Sequence, residues 1–237
     1  VKNQKIKFYP SENIHGQIFD PPVPTKTLIP KWYRDQDTHP EGKKFVIKET
    51  GNVAVTIKAC MPVFDIITAG YTITLPGDVN FEKLENGEFD VSWTVNHLQL
   101  IESHARAQYD KHGTPEEYFP IAYKFINPWI IQTPPGYSCL FIQPSLQDTL
   151  PFQIIPAIVD TDKHPQAINF PFFIRKDFEG IIPTGTPIVQ VIPFKRDNWE
   201  HESFTEFNPK FQPEWEKAMR RIRHRYKAYF RTIKKWE

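Results

Sequence analysis

Glycine is scarce in this sequence, ten residues in 237, against a usual share of about 7%. Few positions are free to take φ > 0, so other residues must make most of the turns. Cysteine is scarcer, with only Cys60 and Cys139. Each lies in an apolar stretch, "IKACMPVF" and "GYSCLFI", which reads as a buried thiol in a reducing compartment rather than part of a disulfide scaffold. No run of about 18 apolar residues occurs, so no segment reads as a transmembrane helix, and no secretory leader is visible. The HExxH, CxxC, GxSxG, GxGxxG and P-loop patterns are all missing. Their absence removes most familiar enzyme classes. A strong overall charge is missing too, since the net is only +1.

What the sequence does have is proline, 23 residues, and phenylalanine, 19. Many prolines with few glycines disfavour long helices and suit short strands with rigid corners. The aromatic mass suits a thick sheet-on-sheet core. Short β-branched or aromatic runs bounded by Pro, Gly or Asp recur along the body: "FDVSWTVN", "AYKFI", "WIIQT", "SCLFIQP", "FQIIPAIVD", "FPFFIRK" and "PIVQVIPF". Strands at such spacing predict a sandwich or barrel, and the lack of βαβ alternation argues against a doubly wound sheet. The fold class is therefore all-β, sandwich-like or a β-clip-type barrel. An extended Pro-rich N-terminal arm precedes it and a C-terminal amphipathic helix follows it.

Three regions divide the chain. In residues 1–44, Pro21, Pro22, Pro24 and Pro30 oppose helix and most sheet pairing, giving an arm pinned by Trp32 and Tyr33 or docked on a neighbour. Residues 45–200 form the β domain. It opens with a predicted hairpin around Thr50-Gly51-Asn52, and "LIESHARAQYDKHG" reads as loosely helical. Within it "PVFDIITAGYTITLP" echoes "PWIIQTPPGYSCLFIQP". The spacing predicts two equivalent hairpins, each an apolar strand, a glycine turn and a tyrosine opening the next strand. Residues 213–237 form a basic amphipathic helix with nine Lys/Arg against three Asp/Glu, a local +6 that leaves the rest at −5. Pro213, Glu214 and Glu216 suit a helix start. Trp215, Met219, Ile222, Tyr226, Tyr229, Ile233 and Trp236 recur at steps of four and three, a heptad seam. That seam serves as core against the sheet, as an oligomer contact, or as a basic face for an acidic or nucleic-acid partner.

The candidate chemistry lies in "AIVDTDKHP". If the strand continues, Asp160 and Asp162 share one face and His164 takes the next alternate position. Two carboxylates and an imidazole suit a divalent metal or a general base; aspartates at a strand end are also ordinary turn-formers. A ligand pocket on this site would draw on Tyr137, Ser145 and Arg175. No organic cofactor is expected, and the divalent metal is left open.

The order "PPGYSCLF", "AIVDTD" and "GIIPTGTPIVQVIPF" resembles the dUTPase and dCTP-deaminase superfamily. That family has a proline-glycine turn, a Val-Ile-Asp strand and a Gly-x-x-Ile-x-Gln strand on a β-clip barrel. Val159 and Asp160 match the second element, and Gly185, Ile188 and Gln190 the third. The resemblance implies a role for Asp160 in sugar recognition or water positioning. "QPSLQD" stands at the family's phosphate motif, where only Ser145 fits. The motifs "CMPVFDIITAGYTITLP", "TPPGYSCLF", "VDTD" and "GTPIVQVIPFKRDNW", over Cys60 to Trp199, are closely similar to an uncharacterised family of tailed phages, notably those of cyanobacteria, and of some bacteria. This second resemblance names relatives and implies no established activity. With the arm and the seam helix as subunit contacts, the leading reading is a phage-type accessory protein acting by binding or assembly as a homo-oligomer in the host cytoplasm. The alternative is a small-molecule or nucleotide enzyme with its carboxylates at Asp160 and Asp162.

Overall fold

The computed structural model describes residues 4–11, 19–49, 51–96, 98–109, 114–213, 216 and 226–237. In chain order its main elements begin with β1 (Lys7–Pro10), β2 (Val23–Pro24), the short helices α1 (Lys31–Asp35) and α2 (Met61–Ile67), β3 (Tyr71–Thr74), β4 (Val79–Lys83) and β5 (Phe89–Trp93). They continue with β6 (Ile101–Ser103), β7 (Tyr123–Phe125), β8 (Trp129–Gln132), β9 (Tyr137–Ile142) and β10 (Phe152–Ile154). The last are β11 (Ala157–Val159), β12 (Phe170–Ile174), β13 (Gly180–Ile182) and β14 (Pro187–Lys195). Every pairing among them is antiparallel. The sheets run β1-β8, β10-β12-β7-β6, β11-β9-β14-β3-β2 and β13-β4-β5. The protein is all-β and sandwich-like.

One core serves the three larger sheets. Phe81 and Phe89 come from the β13-β4-β5 sheet, Phe125, Phe152 and Phe172 from the β10-β12-β7-β6 sheet, and Phe141, Val189 and Val191 from the five-stranded sheet. Phe172 is its hub. It stacks on Phe125 at 4.0 Å and meets Phe152 at 5.7 Å, Tyr123 at 5.9 Å and Phe81 at 6.4 Å. Alternation along β12 and β10 aims these rings inward, as the sequence predicts for "FPFFIRK" and "FQIIPAIVD".

Several expectations are corrected. "PVFDII" is the helix α2, not a strand. Pro62 sits in its first turn, where a missing N–H is tolerated, and Ile67 at its end is buried, so packing overrides the β preference of Ile66 and Ile67. The echo therefore holds only from the glycine onward. Gly70 and Gly136 both have positive φ, 67° and 85°, and Tyr71 and Tyr137 each open a strand, β3 and β9, on either side of β14. At Gly70 a Cβ would stand 2.0 Å from the Val191 carbonyl oxygen, which excludes any side chain.

The N-terminal segment is pinned to the body as expected, but it also pairs with strands and holds a short helix, which its prolines were expected to oppose. β1 pairs with β8, β2 extends β3, and α1 begins directly after Pro30. Tyr33 is buried, and the Trp32 indole N–H donates to the Leu146 carbonyl at 3.1 Å, so these two residues pin it as expected. The predicted hairpin forms as a short ladder: Val46 bridges Val53, the Ile47 N–H donates to the Asn52 carbonyl at 2.8 Å and the Ala54 N–H to the Phe45 carbonyl at 2.9 Å; Thr50 lies outside the described residues. "LIESHARAQY" supplies β6 and a 3₁₀ turn at Arg106–Tyr109 rather than an α-helix.

The C-terminal helix does not extend to Glu237. Gln212, Pro213 and Glu216 are helical, Tyr226–Phe230 forms a π-type turn, and residues 231–237 carry no helix. Arg231 and Lys234 are instead drawn onto Asp65 of α2, at 2.7 and 2.8 Å, and the Arg231 guanidinium lies over the Phe64 ring. Of the seam, Trp215, Met219 and Ile222 lie outside the described residues. Tyr226, Tyr229 and Ile233 are exposed, and Trp236 is half-buried.

Candidate functional site

After β11 the chain turns at once. The Asp160 carbonyl accepts from the N–H groups of Lys163 and His164 at 2.9 and 3.0 Å. The strand does not continue through "DTDKH", so the alternate-face argument fails. Yet both carboxylates reach one cation, Arg196, the residue that follows β14. Its Nη1 donates to Asp162 Oδ1 at 2.7 Å, to Ser138 Oγ at 3.0 Å and to the Tyr137 carbonyl at 3.1 Å. It also lies 3.2 Å from Asp160 Oδ1. Nη2 donates to Asp162 Oδ2, which accepts from the Gly136 N–H at 2.8 Å as well. Ser138 Oγ donates to Asp160 Oδ1 at 2.7 Å.

The two aspartates differ in exposure. The Asp162 side chain is 6% exposed and that of Asp160 51%. The Arg196 hydrogen bonds hold the Asp162 carboxyl down at about 2, against a usual 3.8. The Ser138 hydroxyl, helped by Arg196, lowers that of Asp160. These bonds are directed at the ionised carboxylates and favour the charged form. The cluster therefore ties three chain segments together: the Gly136 corner, the exit of β11 and the end of β14. Among the described residues, no group of three or more His, Cys, Asp or Glu side chains is placed to hold a metal ion.

The side chains of His164, Arg175 and Ser145 are not brought to this cluster, and Tyr137 meets Arg196 through its carbonyl. His164 Nδ1 lies 3.0 Å from the Gln166 carbonyl. Arg175 makes a two-pronged pair with Asp177 at 2.9 and 2.8 Å. Ser145 gives both its N–H and its hydroxyl to Gln190 Oε1, at 3.1 and 2.9 Å. Gln190 is fully buried, and its amide donates to the carbonyls of Ile66 and Ala69 at 2.8 Å each. Ser145 and Gln190 thus form a staple between α2, β14 and the loop after β9.

Tyr137 lines a cleft of about 400 Å³ with Tyr71, Pro134, Pro193, Lys5 and Trp236. The cleft opens where β3 starts at Tyr71, opposite Val191, while β14 runs on to Lys195 beside β9. Pro193 fills that overhang. Tyr71 closes one end, its hydroxyl donating to the Glu237 backbone oxygen at 3.0 Å. No protein-family model matches this chain, and no curated protein matches it either.

Two features lay beyond the sequence expectations. Arg196 sits in "FKRDNW", 34 residues from Asp162, and carried no local signal. The second is the segment after it. Every residue from 197 to 213 is exposed, with Trp199 at 88%, Phe204 at 76%, Phe207 at 68% and Phe211 at 63%. Its hydrogen bonds among the described residues run within the segment or to its flanks, as from Lys195 to Asp197, His201 to Ser203 and Gln212 to Glu216. The signal was aromatic residues recurring in an otherwise polar stretch.

Proposed function

We propose that this protein is a phage-type accessory protein that acts by binding and assembly, as a homo-oligomer. One observation carries this reading: the exposed aromatic arm at residues 197–213. Single exposed apolar residues are ordinary on a protein surface, but a run of four large rings on a segment clear of the body is not. Burying each ring against a partner is worth about 1.5–3 kcal/mol, so the arm gains most from an interface. The exposed Tyr226, Tyr229 and Ile233 extend the same apolar supply toward the C-terminus. The alternative, hydrolysis at Asp160 and Asp162, draws less support, because both carboxylates are committed to Arg196 and Ser138.

Light scattering coupled to size-exclusion chromatography tests the proposal. The full chain, 27.9 kDa, is expected to run as a defined oligomer. The triple change Trp199→Ser, Phe204→Ser, Phe207→Ser should return it to the monomer mass with an unchanged melting temperature. A full-length chain that is monomeric at high concentration overturns the reading.

A further inference from the structure

The arm is acidic as well as aromatic. Residues 197–212 hold Asp197, Glu200, Glu202 and Glu206 against Lys210 alone, and Asp197 is already paired with Lys195. A surface that receives it should therefore be basic and apolar.

The body carries such a surface. The cleft between Tyr71 and Trp236 shares Lys5, Thr133 and Pro134 with a second depression that also contains Lys7 and Gln132. That one shares Gln132 with a third, which reaches Tyr9, Lys163 and His164. The three run together as one furrow along β8 and the corner after it. Its cations are Lys5, Lys7, Lys163 and Lys235; its acids are Glu237 and Asp162, the latter neutralised by Arg196. Among the described residues Lys5 and Lys7 form no ion pair. They stand two apart on the approach to β1 and within it, an alternation that sends both side chains to one face. Pro134, Pro135, Tyr9 and Tyr137 supply rigid apolar walls between the charges.

We propose that the arm of one copy lies in this furrow on a second copy, with Phe204 against the Pro134 and Tyr137 wall and Glu202 and Glu206 on the lysines. From Ile130 to Pro134 an extended chain spans roughly 13–17 Å, the length of the five residues from Glu202 to Glu206. The arm leaves its own body at Arg196, whose N–H bonds the Gly136 carbonyl at 2.9 Å, beside the furrow. Its residues 197–213 are all exposed rather than folded back into it, so among the described residues the arm does not cover the furrow of its own copy. Opposite charges on the two faces favour this pairing over association of two like faces. The inference rests on the oligomeric reading above and names its contact.

Charge exchange tests it on the full chain. Lys5→Glu with Lys7→Glu should reduce the oligomer to monomer mass, and Glu202→Lys with Glu206→Lys should do the same. All four changes in one chain should restore the oligomer, which separates a lost contact from a misfolded variant. Mixing the two double variants should likewise give an assembly that neither forms alone. If the triple arm variant dissociates the oligomer but the lysine variant keeps full mass, the arm seats elsewhere; this inference fails and the oligomeric reading stands. If the lysine variant keeps its mass but loses retention on a single-stranded oligonucleotide, the furrow serves nucleic acid and the inference fails. A wild-type monomer overturns both.

Discussion

Asp162 sets the acid limit of the corner it holds. Its carboxyl ionises at about 2 in the folded protein against a usual 3.8, because Arg196 and the Gly136 N–H bond the charged form. The unfolded chain therefore takes up this proton first. The stabilisation is fully present above about pH 4 and is lost as pH falls toward 2. Asp162→Asn should lower the melting temperature at pH 7 and remove part of the steep loss of stability that the wild type shows between pH 4 and 2. Thermal melts of both proteins across that range check it; parallel curves would show that the carboxylate is not coupled to folding. At this scale the sequence was half legible. The convergence of Asp160 and Asp162 could be read from their spacing, though it comes from a turn and not from strand alternation. Arg196 could not, since 34 residues separate it from Asp162 and nothing local distinguishes it from Lys195 beside it.

Among the elements, α2 and the chain end hold each other. Asp65 receives Arg231 and Lys234, and the Asp65 and Arg231 side chains are only 14% and 12% exposed, so this is a partly buried contact and not a loose surface pair. Asp65→Asn should free residues 231–237, and trypsin should cut after Arg231 severalfold faster than in the wild type, with the body fragment intact. An unchanged digestion rate would mean the Phe64 and Tyr71 contacts suffice. The same contact explains two misread elements. "PVFDII" has the β-branched density of a strand, but Pro62 starts a helix and Asp65 on that helix has a partner more than 160 residues away. The heptad spacing of the tail is real in sequence, yet its basic residues find a carboxylate on the body and the chain leaves the helix after Phe230. Strands such as β9, β12 and β14 were legible because β-branched and aromatic runs bounded by proline, glycine or aspartate decide them without distant partners.

For the whole molecule, the shared phenylalanine core makes the sheets one cooperative unit. Phe172 touches rings from the β13-β4-β5 sheet and from both neighbours in its own. Phe172→Ala should destabilise by about 3–5 kcal/mol, in a single urea transition followed equally by tryptophan fluorescence and circular dichroism. Separate transitions would show that the sheets fold apart. The all-β, sandwich-like class was legible from composition because many prolines and rings leave few other packed solutions. How the N-terminal segment joins the sheets was not, because a two-residue strand such as β2 is fixed by its partner β3 and has no periodicity of its own. The core also decides how the two sulfur atoms differ. Cys139 is fully enclosed and burial pushes its thiol up to about 11, whereas Cys60, at the start of α2, is partly open to solvent. A maleimide dye would therefore mark the native molecule at a single position, just before the helix that carries Asp65, and make the wild-type chain its own optical gauge of tail release.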